Sequence, residues 1–166
     1  QGHDFNAHYI RKKMVPAGPD HAQIAAATGI AQYLNAVYAH HFFETVDKAE
    51  QGRRLKKLFQ AHERSLLKPL LRWLRQRDDI DIVGPGNAEL RVSTVSVMPK
   101  NKSIDEICAI LAAKKLMVGQ GSFYSVRLLT GMNIPVKTGV LRLSFLHYTI
   151  EDEINQLIDG LAAALD

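Results

Sequence analysis

The sequence predicts an α+β fold: a small, mainly antiparallel sheet of three to four strands, covered by helices on one face and preceded by two long helices. Three observations carry this. Residues 20–78 place apolar side chains at three- and four-residue steps, the helical period. Residues 80–166 switch to short β-type runs and capped helical stretches, in the order strand, strand, helix, strand, strand, helix. Two of the turns between strands are short, which suits antiparallel neighbours rather than long crossovers.

The helical part opens at Asp20, which can cap a helix running to about His40. Ile24, Ala27, Ala31, Leu34 and Tyr38 fall near one face of it, and Gly29 weakens it slightly. A second helix is predicted over 49–77, with Leu55, Leu58, Phe59, His62, Leu66, Leu70, Trp73 and Leu74 as its apolar stripe. Pro69 lies inside that stripe and is expected to kink or break it. Next come a short strand at Ile80 to Val83, closed by Gly84-Pro85-Gly86-Asn87, and a longer one at Leu90 to Met98, stopped by Pro99. Ser103-Ile104-Asp105-Glu106 has the capping-box form and opens a helix carrying Ile107, Cys108 and Leu111. Leu116 to Val118 reads as a strand entering Gly119-Gln120-Gly121, and Val140 to His147 as a further strand. Thr149 is expected to cap a last helix bearing Ile154, Leu157, Ile158, Leu161 and Leu165.

A length of 166 residues fits about one domain with a real core. Hydrophobic residues at 46% and charged residues at 23% are ordinary globular values and argue against disorder as the main state. No apolar run approaches the roughly 20 residues of a membrane span. No positively flanked apolar segment opens the chain, and the expected location is cytoplasmic. The lone cysteine, Cys108, excludes an internal disulfide and a cysteine-based zinc cluster. Gln1-Gly2-His3 reads as the remnant of a cleavable tag, so the natural protein is expected to continue upstream of Asp4. Residues 4–19 form a lead-in that ends in the turn signal Pro16-Ala17-Gly18-Pro19. Residues 20–166 are expected to form a single α+β domain, with a helical part over 20–78 and a mixed part over 80–166.

The net charge of +4 is uneven. Ten Lys and Arg from Lys48 to Arg77 face only Glu50 and Glu63 within that segment, whereas the last 18 residues hold five acids and no base. A basic helix over 48–77 admits a stand-alone nucleic-acid-binding module as an alternative. The blander reading is a solvated face, or one turned toward acidic neighbours. Against nucleic acid, aromatic residues are 7% and the strands show no exposed aromatic pair for base stacking. A regulatory or oligomerisation domain without a site is a third alternative.

Arg142 is the most informative single residue. Strand alternation puts Leu141, Leu143 and Phe145 on one face and Arg142 on the other. An arginine in mid-strand between leucines is either solvated on an open face or aimed at an anion, which its fork of donors suits. Gly119-Gln120-Gly121-Ser122-Phe123-Tyr124 is a glycine-bearing loop, but it lacks the third glycine of the dinucleotide fingerprint. Seven histidines show no i, i+4 pair with a carboxylate, so no metal site is expected. His62 reads as a packed boundary residue, and Cys108 as an inert thiol. No complete catalytic set is present.

Two stretches resemble the C-terminal part of the class V aminotransferase family, pyridoxal-phosphate enzymes of fold type I, and within it the cysteine desulfurase-like branch. The run Gly139-Val140-Leu141-Arg142-Leu143-Ser144-Phe145-Leu146-His147-Tyr148-Thr149 with Glu151-Asp152-Glu153-Ile154 is similar to the family's end. Val118 to Tyr124 resembles the branch's active-site loop, Arg91 to Val97 its preceding strand, and Pro16 to Ala22 with Gly29 and Tyr33 the segment after the cofactor domain. The resemblance implies the small C-terminal domain of a larger homodimeric enzyme acting on an amino acid. It implies that Arg142 binds the substrate carboxylate, with Gly121 and Tyr124 bordering the substrate. Gly18, Asp20 and His21 would reach toward a partner subunit's cofactor phosphate, although Pro19 stands where dimeric relatives carry Thr. Desulfurases carry a catalytic cysteine about where Tyr124 stands, and a phenol does not do thiolate chemistry. The Schiff-base lysine and the aspartate for the pyridine nitrogen belong to the missing large domain. The isolated chain is therefore expected to be inactive, with no pyridoxal phosphate bound, and to self-associate.

Overall fold

The computed structural model describes residues 20–166. They divide into two compact units, one ending at Leu55 and one covering Lys56–Asp166. In the first unit, helix α1 spans His21–His41. The Asp20 carboxylate accepts the N–H groups of Ala22 (2.9 Å) and Gln23 (3.2 Å), which satisfies two of the helix's free donors. Of the predicted apolar stripe, only Tyr38 is buried, while Ile24 is 60% exposed. Two of its five residues, Ala27 and Ala31, are alanines, which offer little area to bury. Tyr38 stacks on Phe42, and its hydroxyl donates to the Glu44 carbonyl (3.0 Å).

Helix α2 spans Lys48–Arg75 and runs from the first unit into the second. Pro69 does not break it. Leu66, Leu67, Leu70, Leu71 and Leu74 around the proline are all buried. At about 1.5–3 kcal/mol per leucine, their burial outweighs the roughly 3 kcal/mol that an interior proline costs.

The second unit carries four strands, β1 (Ile80–Val83), β2 (Thr94–Pro99), β3 (Gly119–Gly121) and β4 (Val140–Ser144). They form one sheet in the order β1-β2-β4-β3, with every pair antiparallel. Helix α3 (Ile104–Ala113), a short helix α4 (Val126–Gly131) and the terminal α5 (Glu151–Leu165) complete the unit. One sheet face presents Val95, Val97, Leu141 and Leu143 to the leucines of α2, to Ile107 and Leu111 of α3 and to Ile154 and Leu161 of α5. This is the main core. Register pairs Val97 with Leu141 and Val95 with Leu143 on that face, and Ser96 with Arg142 on the other.

Four boundaries differ from the sequence expectation. The run 90–98 is a strand only from Thr94, because Ala88–Leu90 form a 3₁₀ turn capped by Asn87. Arg91 fastens this turn by donating to the carbonyls of Pro85 (2.6 Å) and Thr94 (3.0 Å). The third strand is Gly119–Gly121 rather than 116–118, and the fourth ends at Ser144. Thr149 does not cap α5. Its hydroxyl accepts the Leu146 N–H (3.1 Å), while the Glu153 carboxylate accepts the Ile150 N–H (2.9 Å) at the helix start. The segment 122–139, which includes the unpredicted α4, folds over part of the second sheet face. Leu129, Ile134 and Val140 form a small buried cluster there, with Val83, Met98, Phe123 and Val136 against it.

The capping box at the start of α3 is formed. Ser103 Oγ accepts the Glu106 N–H (3.2 Å), and the Glu106 carboxylate accepts the Ser103 N–H (3.1 Å). These bonds hold the Glu106 carboxyl below its ordinary range. Ser103→Ala is expected to destabilise the protein by about 1 kcal/mol, read as a fall of a few degrees in Tm. An unchanged Tm would show that the box contributes nothing.

Candidate functional site

The candidate site is built on β4 and the loop that follows β3. Arg142 lies between two fully buried leucines, Leu141 and Leu143, and points to the opposite face, where it is half-buried. Its guanidinium carbon sits 3.8 Å from the centroid of the Phe123 ring. Among the described residues, no carboxylate lies within ion-pair distance of it. Arg142 is thus off the core face, and its fork of donors is not consumed by an acid among the described residues.

Gly121 ends β3 with φ +122° and is the register partner of Val140. A Cβ on Gly139 (φ +65°) would fall 2.1 Å from the Gly121 carbonyl carbon, so the two backbones touch. Phe123 (φ 48°) and Tyr124 (φ 60°) both adopt the left-handed region that non-glycine residues enter at a cost. Tyr124 is fully exposed and Phe123 half-buried. The sequence reading missed Phe123. Its left-handed backbone leaves no compositional signal.

An open cleft of about 420 Å³ runs beside Gly121, lined by Lys102, Asp105, Gln120, Lys137 and Gly139 among others. Arg142 and Tyr124 do not line it, so the three residues named from the sequence do not enclose one cavity within this chain. Asp105 is engaged there as acceptor for Gln120 (2.8 Å). Gly18 lies outside the described residues. Asp20 is the cap of α1, and His21 is its exposed first residue.

The remaining chemical candidates have local partners. His62 Nε2–H donates to the Thr149 carbonyl (2.8 Å). Cys108 sits against the main core, and burial pushes its thiol up, away from thiolate. No group of three His, Cys, Asp or Glu side chains able to hold a metal occurs among the described residues. No helix among them is long and apolar enough to cross a membrane.

The basic segment is partly neutralised by acids from outside it. Arg54 pairs with Glu44 as well as Glu50, Arg64 with Glu89 (2.9 Å), and Arg77 with Asp79 (2.6 Å) and Asp166 (2.9 Å). The Arg77 guanidinium holds the Asp79 carboxyl below its ordinary range. Acidic neighbours, the blander sequence reading, are what these arginines meet.

A four-stranded antiparallel sheet with helices on its core face and a mid-strand arginine on the other defines the class of domain. Comparison with known proteins then gives the family. The model for aminotransferase class-V matches residues 54–157, and the chain belongs to that family. The "Probable cysteine desulfurase 2" of Mycobacterium leprae is 26% identical over 148 residues, which is 89% of this chain and 31% of that protein. The "Aminotransferase-like protein FGM3" of Gibberella zeae is 29% identical over 107 residues, 63% of this chain and 27% of that protein. The chain thus spans less than a third of the length of these curated relatives. Among solved structures, a cysteine desulfurase from Thermococcus onnurineus NA1 superposes with a TM-score of 0.61 at 20% identity, over 70% of this chain and 28% of the other. The cysteine desulfurase CsdA from Escherichia coli gives 0.55 at 19%, over 64% and 25%. These structures share the fold.

Proposed function

We propose that the chain is the substrate-side portion of a larger pyridoxal-phosphate enzyme acting on an amino acid, and that Arg142 receives the α-carboxylate. One observation carries the reading. A half-buried guanidinium is held on an aromatic ring, off the core face, with no acid of its own among the described residues. A guanidinium pairs with a carboxylate through two parallel N–H···O bonds, which fixes orientation as well as adding binding energy. The backbone at Gly121 and the exposed Tyr124 ring border the same loop and would limit what the rest of the substrate can be.

The residues present do not fit the reactive end of the cofactor. That end needs a lysine and an acid for the pyridine nitrogen in one enclosed site. Lys102 and Lys137 line an open cleft, and its carboxylate, Asp105, already holds Gln120. We therefore assign no chemical step to this chain and place the cofactor in sequence outside it. At the other end of the cofactor, the Asp20 carboxylate caps α1, so His21 is the side chain left to approach a partner subunit's phosphate, along with Gly18. Tyr124 excludes thiolate chemistry at its position. No observation favours the nucleic-acid alternative, since the arginines named above meet acids.

The test is chemical trapping. Borohydride reduction of the full-length protein, followed by peptide mapping, is expected to place a pyridoxyl adduct on one lysine outside the present 166 residues. A specific adduct on any lysine of this chain, or none at all, would overturn the proposal.

A further inference from the structure

We infer that Phe123 is a positioning residue that holds the Arg142 guanidinium ready for a carboxylate. The identity of the ligand rests on the function proposed above. The platform itself is a property of the chain.

Three observations converge on the ring. First, β3–β4 register sets Gly119 directly opposite Arg142. A Cβ at Gly119 would lie 3.1 Å from Phe123 Cζ and 3.7 Å from Arg142 Nε. The ring therefore fills the slot that the missing side chain leaves, a form of aromatic cover for a strand glycine. Second, the ring reaches this slot only because the loop turns back on itself. Ser125 N–H donates to the Ser122 carbonyl (2.8 Å), and Phe123 and Tyr124 both take positive φ. Such backbone persists where its surroundings enforce it, and it clusters at ligand clamps. Third, the ring is supported by the cluster of Leu129, Ile134 and Val140.

The chemical consequence follows from what an aromatic face can and cannot do. Arginine carries much rotamer freedom, and a strand position alone does not fix its guanidinium. An acidic partner would fix it but would occupy the N–H donors and neutralise the charge. A stacked ring fixes it through cation–π attraction and leaves the in-plane donors for another acceptor. Phe123 is thus suited to an arginine whose carboxylate arrives with a ligand.

The experiment uses the full chain with ¹⁵N-labelled arginine, read through the Nε–Hε signals, with acetate as the probe and chloride at matched ionic strength as the control. Loss of one signal in Arg142→Lys assigns Arg142. Its Hε is expected well upfield of the free-arginine position from the ring current. Phe123→Leu should return it toward that position and weaken acetate binding by about threefold to tenfold. Phe123→Tyr keeps an aromatic face and should keep both the shift and the affinity, whereas Phe123→Leu keeps an apolar side chain without that face. An Arg142 Hε at the free-arginine position in the wild type overturns the inference, and it does so even if Phe123→Leu fails to fold. Unchanged acetate affinity in a folded Phe123→Leu overturns it too. An upfield Arg142 that ignores acetate sinks the carboxylate site while leaving the platform standing.

Discussion

Gly139→Ala is expected to destabilise the protein by about 2–5 kcal/mol, a sum of two separate costs. The residue has φ +65°, where an L side chain costs roughly 1–2 kcal/mol. Its Cβ would also stand 2.1 Å from the Gly121 carbonyl carbon and 2.2 Å from its oxygen. Carbon atoms in contact prefer about 3.5–4.0 Å, so the two backbones must part by more than an ångström. Both are backbone atoms, so no side chain can swing away, and overpacking of this kind adds about 1–3 kcal/mol. The separation falls at the Gly121–Val140 end of the β3–β4 pairing. Val140 is also a member of the small cluster on the second sheet face, so the damage should reach the loop that carries Phe123. Gly84→Ala is the control. It too has positive φ (+89°), but nothing lies within 4 Å of its Cβ. It should cost only the conformational part. Thermal or urea unfolding of the two variants decides the matter: equal losses would mean that the close approach at Gly139 is absent.

The same stretch shows which parts of the fold were legible in the sequence. Period-two alternation read the faces of Leu141, Arg142 and Leu143 correctly, because a fully buried leucine flanks the arginine on each side, while Val140 is buried in the small cluster on the other face. The Ser103 box was legible because its donors and acceptors sit three residues apart. What failed was non-local. β3 forms at Gly119–Gly121, where β-propensity is lowest, because β4 supplies the pairing. Leu116 and Val118, the better strand formers, pack against the main core instead. Pro69 looked like a helix breaker because the predicted stripe named Leu66, Leu70 and Leu74 but not Leu67 and Leu71, which are buried as well. The acids that meet Arg54, Arg64 and Arg77 lie as far away as Asp166. A local count of charge therefore overstated the basic face. The site divides along the same line. Arg142 announced itself by alternation, whereas Phe123 depends on a left-handed loop and an opposing glycine.

In the full-length enzyme to which we propose this chain belongs, Arg142→Ala is expected to raise the KM for the amino acid by well over tenfold. Arg142 alternates away from the core, so its removal leaves no cavity among Leu141, Leu143 and their neighbours. Tm and cofactor absorbance should therefore stay close to wild type. The cost appears only when a carboxylate arrives. Losing one partner of a desolvated, charge-assisted pair typically costs on the order of 2–5 kcal/mol, and each factor of ten in affinity is about 1.4 kcal/mol. Arg142→Lys separates charge from shape. An ammonium keeps the attraction but loses the planar fork and the stacking on Phe123, so it should restore KM only in part. KM, kcat, absorbance and Tm for the three proteins test this together. An unchanged KM would make Arg142 a solvated strand residue and remove the carboxylate site. Loss of folding in both variants would make it structural, with the Phe123 contact holding the sheet edge rather than a ligand.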